Sequence, residues 1–210
     1  MPKLLITSFT TWLPHQKSNS ADDLLELIHS ISTLDLVLLR HLPVDIDLAT
    51  KEVIKAIGQH QPSALVCCGM AESRDDLAIE VQAFAPHNYS SKRELDLNKP
   101  LATIVDLPQI TQGLVTTTLS YDAGKFVCEG LYYEVLSYLY QSSPPLPCIF
   151  VHVPRLTSEN QLVITAEFSL ILKNLANSDK INRDHYAVSK ITNLKNLWLI
   201  QKSSPPTAVN

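Results

Sequence analysis

Five short apolar runs stand out along the chain: Leu4 to Phe9, Leu36 to Leu42, Ala64 to Cys68, Leu114 to Ser120 and Cys148 to Val153. Each is continuous rather than alternating, as in strands buried on both faces of a largely parallel sheet. Between them lie stretches with the 3.6-residue period of helices. Ser20 to Ile31 comes first, with Ser20 placed to cap it and Asp22 and Asp23 favouring its first turn. Ala49 to His60, Phe126 to Tyr140 and Ser158 to Leu175 follow, the third of these four stretches aligning Val127, Leu131, Val135 and Leu139 on one face. Strands alternating with helices predict an α/β protein, a three-layer α/β/α sandwich around a mixed, largely parallel central sheet.

Two regions break the rhythm. Residues 77–84 read as a strand carrying one carboxylate, Glu80, and Pro86 to Pro100 is polar enough for a long surface excursion. After Asn174 the composition turns to Asn, Ser, Lys and Asp. The expected organisation is therefore an α/β domain over residues 1–176 and a partly disordered extension over 177–210. Within that extension, Tyr186 to Ile200 is apolar enough for a short helix or strand that the pattern does not place.

Composition narrows the functional classes. At 210 residues, with 45% hydrophobic and 18% charged, the chain is globular and sized for one full core. Seventeen Lys and Arg against 21 Asp and Glu give a net charge of -4, which excludes a broadly basic nucleic-acid footprint and a surface built for anionic lipid. No run approaches the about 18 apolar residues of a membrane span. The start, Met1-Pro2-Lys3, lacks the marks of a signal peptide, and the four cysteines read as reduced thiols of a cytoplasmic protein.

Three residues carry candidate chemistry. Cys128 follows the Asp122-Ala123-Gly124 turn near a helix start, where exposed N–H groups and the helix dipole favour a thiolate and could hold an oxyanion. Read alone, it is equally a core cysteine on an apolar face. His152 sits at the carboxyl end of a strand, the edge where ligands collect in open α/β sheets, and it meets Cys128 there if the strand before Cys128 is also parallel. Alone, it is a satisfied structural histidine. Glu80 lies in an apolar strand, so its charge needs a reason. It orients the imidazole, or else it faces solvent on an edge strand or pairs with Arg74. A zinc site from Cys67, Cys68 and Cys148 is the weaker alternative, because adjacent strand residues point to opposite faces and Cys-x-x-Cys spacing is missing.

Together these stretches resemble the pyroglutamyl peptidases (pyrrolidone-carboxylate peptidases), cytosolic cysteine hydrolases with a Glu, Cys, His triad in that chain order. Ala123-Gly124-Lys125-Phe126-Val127-Cys128, with Tyr132 and Tyr133 beyond, is similar to the family's Ala-Gly-Thr-(Phe/Tyr)-Val-Cys-Asn motif. Phe150-Val151-His152-Val153-Pro154 is similar to its histidine motif, and Gly69, Arg74 and Glu80 match the spacing of its Gly-Gln-Ala-Gly-Gly-Arg stretch and following Glu. Leu42-Pro43-Val44 matches a further segment. The resemblance implies an α/β/α sandwich that removes an amino-terminal pyroglutamyl group, with Cys128 as nucleophile, His152 as base and acid, and Glu80 as orienting carboxylate. It implies no metal or cofactor, a small peptide or amide substrate, and a homo-oligomer, dimer or tetramer.

The recognition loops depart from the family. The glycine-rich loop after the first strand is Ser8-Phe9-Thr10-Thr11-Trp12-Leu13-Pro14, which keeps aromatics at Phe9 and Trp12. The family's Gln is Met70, its paired glycines are Glu72 and Ser73, and the Asn after the nucleophile is Glu129. The substrate pocket expected from the resemblance is formed by Phe9, Trp12, Met70, Phe126 and Val127, with main chain near Phe126 and Val127 holding the lactam. The alternatives are a catalytically inactive relative acting in binding or assembly, and a cysteine amidase with a different substrate.

Overall fold

The computed structural model describes residues 2–86, 99–142 and 145–178. A six-stranded sheet forms its centre, built from β1 (Lys3–Phe9), β2 (Asp35–Leu42), β3 (Ala64–Met70), β4 (Ala78–Glu80), β7 (Thr118–Ser120) and β8 (Cys148–Val153) in the order β2-β1-β3-β8-β4-β7. β5 (Gln82–Ala83) and β6 (Leu101–Ala102) pair separately as an antiparallel two-stranded sheet. The helices are α1 (Ser20–Ile31), α2 (Ile46–His60), α3 (Leu107–Ile110) and α4 (Val127–Leu139), and residues 161–178 form a further helix, α5.

Strands β2, β1, β3 and β8 run parallel. β4 is antiparallel to β8, and β7 follows β4 in parallel. The sheet is thus mixed and largely parallel, as the apolar runs predict. Alternate strand residues feed two cores. Leu4, Ile6, Val66, Cys68, Ile79 and Val151 pack under α1, α3 and α5, whereas Leu5, Leu65, Cys67 and Phe150 pack under α2 and α4. Cys67 and Cys68 therefore face opposite layers.

Several boundaries differ from the sequence expectation, each for a local reason. The cap of α1 is Asn19, whose side chain accepts the Ala21 amide; Ser20 is the first helical residue and its hydroxyl reaches Val153 carbonyl instead. α2 begins at Ile46 rather than Ala49 because Asp45 caps it by accepting the Leu48 amide. The 77–84 strand splits, since Val81 donates to Ser120 carbonyl and ends the β4 ladder before β5 begins. The expected extension from 177 is described only through residue 178; Tyr186 to Ile200 and most of the 86–100 excursion lie outside the described residues.

The run Leu114 to Ser120 contributes only its last three residues to the sheet. Glu167 of α5 captures the rest: its carboxylate accepts the amides of Val115, Thr116 and Thr117 at 2.7, 2.9 and 2.8 Å and the hydroxyls of both threonines. Burial alone would raise this carboxyl, but the Thr117 hydroxyl and those backbone amides outweigh it and hold it at about 2. A second carboxylate ties β1, α1 and β2 together. Asp22 accepts Ser8 Oγ at 2.6 Å and both arms of the Arg40 fork at 2.9 and 2.7 Å. No helix among the described residues is long and apolar enough to cross a membrane.

A carboxyl depressed from 4.5 to about 2 stabilises the fold above pH 4.5 and loses that contribution as pH falls through about 2. Glu167→Gln is expected to cost on the order of 2–3 kcal/mol at pH 7, with the gap to wild type closing below pH 4, by urea denaturation across pH.

Candidate active site

The reversal at β4 makes the site. Because β4 runs against β8, Glu80 lies opposite Phe150, on the layer shared by His152 and α4. β7 also runs against β8, so the expectation that the strand before Cys128 ends at the histidine edge is corrected: it ends at the level of Phe150. The chain then returns through Tyr121 to Phe126, where Gly124 turns with φ of 91°, a conformation that a Cβ would strain. α4 starts at the end of that return and brings Cys128 back beside β3 and β8.

The placement of Cys128 is rigid. Ten of the 13 residues of α4 are buried between the sheet, α2 and the β5–β6 pair. Glu129 accepts the Phe84 amide at 3.2 Å and fastens the first turn to the end of β5. Against β3 the sulfur lies so close that a Cβ on Gly69 would stand 2.7 Å from it and 3.0 Å from the Phe150 ring. Gly69 is in register with His152 on the neighbouring strand, and Cys128 and His152 line one cleft.

Glu80 is fully buried, and a carboxylate can only accept, so His152 Nδ1 bears the hydrogen it donates to Glu80 Oε1 at 2.7 Å. In a neutral ring, that arrangement leaves Nε2 as the acceptor nitrogen. The same Oε1 accepts from Arg74 Nη2 at 3.2 Å, and Arg74 also reaches Ser120 Oγ at 2.9 Å and Asp122 carbonyl at 3.4 Å. The two readings of Glu80 offered by the sequence, imidazole partner or arginine partner, both hold at one oxygen. Its edge-strand, solvent-facing variant does not: β4 lies inside the sheet. Tyr132 hydroxyl donates to Glu80 carbonyl at 3.2 Å, and the Phe150 ring stands 5.0 Å from the imidazole centroid.

The protonation of Cys128 differs from the sequence expectation. Burial, the negative charge of Glu80 and the neighbouring Cys67 push its thiol up to about 12 instead of down. The helix start remains open to ligands nonetheless. α1, α2 and α3 each begin with an Asn or Asp side chain that accepts an amide, whereas α4 begins at Phe126 with no side-chain cap. Its first amides have no acceptor within the helix.

A cleft of about 300 Å³ joins these groups. Cys128 and His152 line it, as do all five expected pocket residues, Phe9, Trp12, Met70, Phe126 and Val127. Trp12 and Phe126 meet with ring centroids 5.0 Å apart, and Met70 Sδ accepts the Ser20 amide at 3.4 Å. Sequence reasoning missed Gln16. Its Oε1 accepts the Trp12 and Leu13 amides at 3.1 and 3.2 Å, and its Nε2 donates to Glu72 at 3.1 Å, bracing the loop that carries Trp12. A lone polar residue in a loop gives no periodic signal by which to find it. Among the described residues, no cluster of three or more His, Cys, Asp or Glu could hold a metal ion.

Cys128 alone of the four cysteines has access to solvent; Cys67, Cys68 and Cys148 are fully buried. Iodoacetamide is expected to label Cys128 selectively in the folded protein. With the thiol near 12, labelling rises about tenfold per pH unit from pH 7 to 10. Mass spectrometry across that range checks it, and a plateau near pH 7 would show a thiolate at rest.

A family model described as pyroglutamyl peptidase matches residues 2–177. The pyrrolidone-carboxylate peptidase of Brevibacillus brevis is 25% identical over 177 residues, covering 76% of this chain and 81% of that protein. That of Bacillus subtilis is 24% identical over 168 residues, covering 72% and 78%. Among solved structures, pyrrolidone carboxyl peptidase from Thermococcus litoralis superposes with a TM-score of 0.71 at 20% identity, covering 88% of this chain and 96% of that one. Pyroglutamyl peptidase I from Bacillus amyloliquefaciens gives 0.71 at 18% identity, covering 85% and 98%. With almost the whole described chain inside the family match, the protein belongs to the pyroglutamyl peptidase family.

Proposed function

We propose that the protein is a cysteine omega peptidase that removes an amino-terminal pyroglutamyl group from small peptides or amides, with Cys128, His152 and Glu80 as its triad. The observation that carries the reading is the 2.7 Å contact between His152 Nδ1 and buried Glu80, at a cleft that also holds the one accessible cysteine. His152 Nε2 takes the Cys128 proton as sulfur attacks the pyroglutamyl carbonyl carbon. Because the resting thiol is protonated, transfer and attack proceed together, and the imidazolium that forms is stabilised by Glu80. The uncapped first turn of α4 supplies amides for the oxyanion. His152 then gives its proton to the departing amine, leaving a thioester on Cys128. Water attacks that thioester with His152 again as base, releasing pyroglutamate and restoring the thiol.

The acyl pocket in this reading is formed by Phe9, Trp12, Met70, Phe126 and Val127, which wall the ring, while main chain near Phe126 and Val127 bonds the lactam amide. No cofactor enters. The proposed setting is the cytoplasm, in keeping with four unpaired cysteines, and the proposed assembly is a homo-oligomer, dimer or tetramer. The domain doing this work is residues 1–176, with 177–210 as an extension.

Pyroglutamyl-aminomethylcoumarin tests the reading. Wild type is expected to release the fluorophore and Cys128→Ala to reduce release at least about 1,000-fold with folding intact. No release by wild type, with hydrolysis of other amides in a panel, would replace it with an amidase of different specificity; no hydrolysis at all would favour a silent binding protein. Gly69→Ala is expected to lower kcat by at least about 100-fold, because the new methyl displaces the nucleophile or Phe150. Steady-state kinetics on folded protein checks this.

A further inference from the structure

We propose that Arg74 is a positioning residue for the triad, holding part of Glu80's charge through the same oxygen that His152 uses, so that the imidazole rests neutral and able to accept a proton. This rests on the function proposed above. Glu80 Oε1 receives Nδ1 of His152 at 2.7 Å and Nη2 of Arg74 at 3.2 Å, while Oε2 is buried without a partner. A buried carboxylate whose single partner was the imidazole would favour the imidazolium strongly. A histidine held in that form cannot take the Cys128 proton, and the resting thiol keeps that proton until attack.

Arg74 offsets this. Its charge is permanent across the accessible pH range, and it is anchored rather than free, by Ser120 Oγ at 2.9 Å and by Asp122 carbonyl at 3.4 Å. Both anchors lie at the end of β7 and the turn after it, the segment that carries the chain back to Cys128. One guanidinium therefore links the carboxylate to the strand that delivers the nucleophile. The other titratable groups lining the cleft with His152 are Cys128 of α4, near which Cys67 of β3 lies, and Glu72 and Lys125. Asp75 and Asp76 follow Arg74 in the chain. Among the described residues, no basic side chain other than His152 and Arg74 forms an ion pair with Glu80. The division of its charge is consequently set by these two.

The test uses the full-length protein with Arg74→Met and Arg74→Lys. The His152 ring is titrated by NMR without substrate, its signal assigned by loss in His152→Gln, and the pH profile of kcat/KM is measured on pyroglutamyl-aminomethylcoumarin. In Arg74→Met both the ring midpoint and the acid limb of the profile are expected to move up by about 0.5–1 pH unit, lowering kcat/KM at pH 6 about three- to tenfold. KM stays within about twofold, and Arg74→Lys returns most of the shift. Should Arg74→Met not fold, Arg74→Gln, which keeps an amide donor without the charge, reads the same midpoint. A folded neutral variant with an unmoved or lowered midpoint overturns the proposal, as does a Lys variant that behaves like Met. A purely structural role would lower activity at every pH and leave the limb in place. A wild type that does not turn over the substrate removes the proposed function, while the ring titration still decides the role of Arg74.

Discussion

A carboxylate with no exposed surface, set inside an apolar sheet, is the constraint from which the site follows. An isolated buried charge costs several kcal/mol, so Glu80 needs partners against it. Arg74 from the β3–β4 connection supplies a cation, and the His152 ring from β8 supplies a hydrogen-bond partner. The register that pairs β4 with β8 and the anchoring of Arg74 on β7 bring two partners to one oxygen of that side chain. The proposed mechanism relies on the same arrangement, since a ring held through Nδ1 keeps its other nitrogen for the cleft that Cys128 also lines.

Topology then decides how the thiol arrives. In a purely parallel sheet, every strand would end at the histidine edge and each following helix would start there. Here β4 and β7 run the other way, and Cys128 reaches the edge only because the Tyr121 to Phe126 return leads into a helix clamped on three sides. Close packing is the cost. Gly69 leaves room for sulfur and nothing else, and burial in that niche is what keeps the thiol protonated.

Local patterns revealed much of this and concealed the rest for identifiable reasons. α1 and the parallel strands were readable because their apolar period and buried runs are properties of contiguous residues. The alignment of Val127, Leu131, Val135 and Leu139 on α4 was readable on the same ground. Strand direction was not, since Ala78 to Glu80 carries no mark of which way it runs. The true start of the strand in the Leu114 run was hidden too, because its first residues have strand-like composition but are claimed by Glu167, some fifty positions later. The pKa shift of Cys128 runs opposite to the sequence expectation: a helix start is visible in sequence, whereas burial and a carboxylate from another strand are not. Arg74 and His152 looked like rival partners of Glu80 because a one-dimensional view does not show two donors sharing one oxygen.

The bracing of the Trp12 loop by Gln16 has a thermodynamic corollary. A glycine-rich loop is supple, and a ligand that settles it must offset the freedom it removes. With two main-chain amides and Glu72 already bonded to one side chain, little of that freedom is left to lose. A loop braced in this way has less freedom to surrender to any molecule that settles against it.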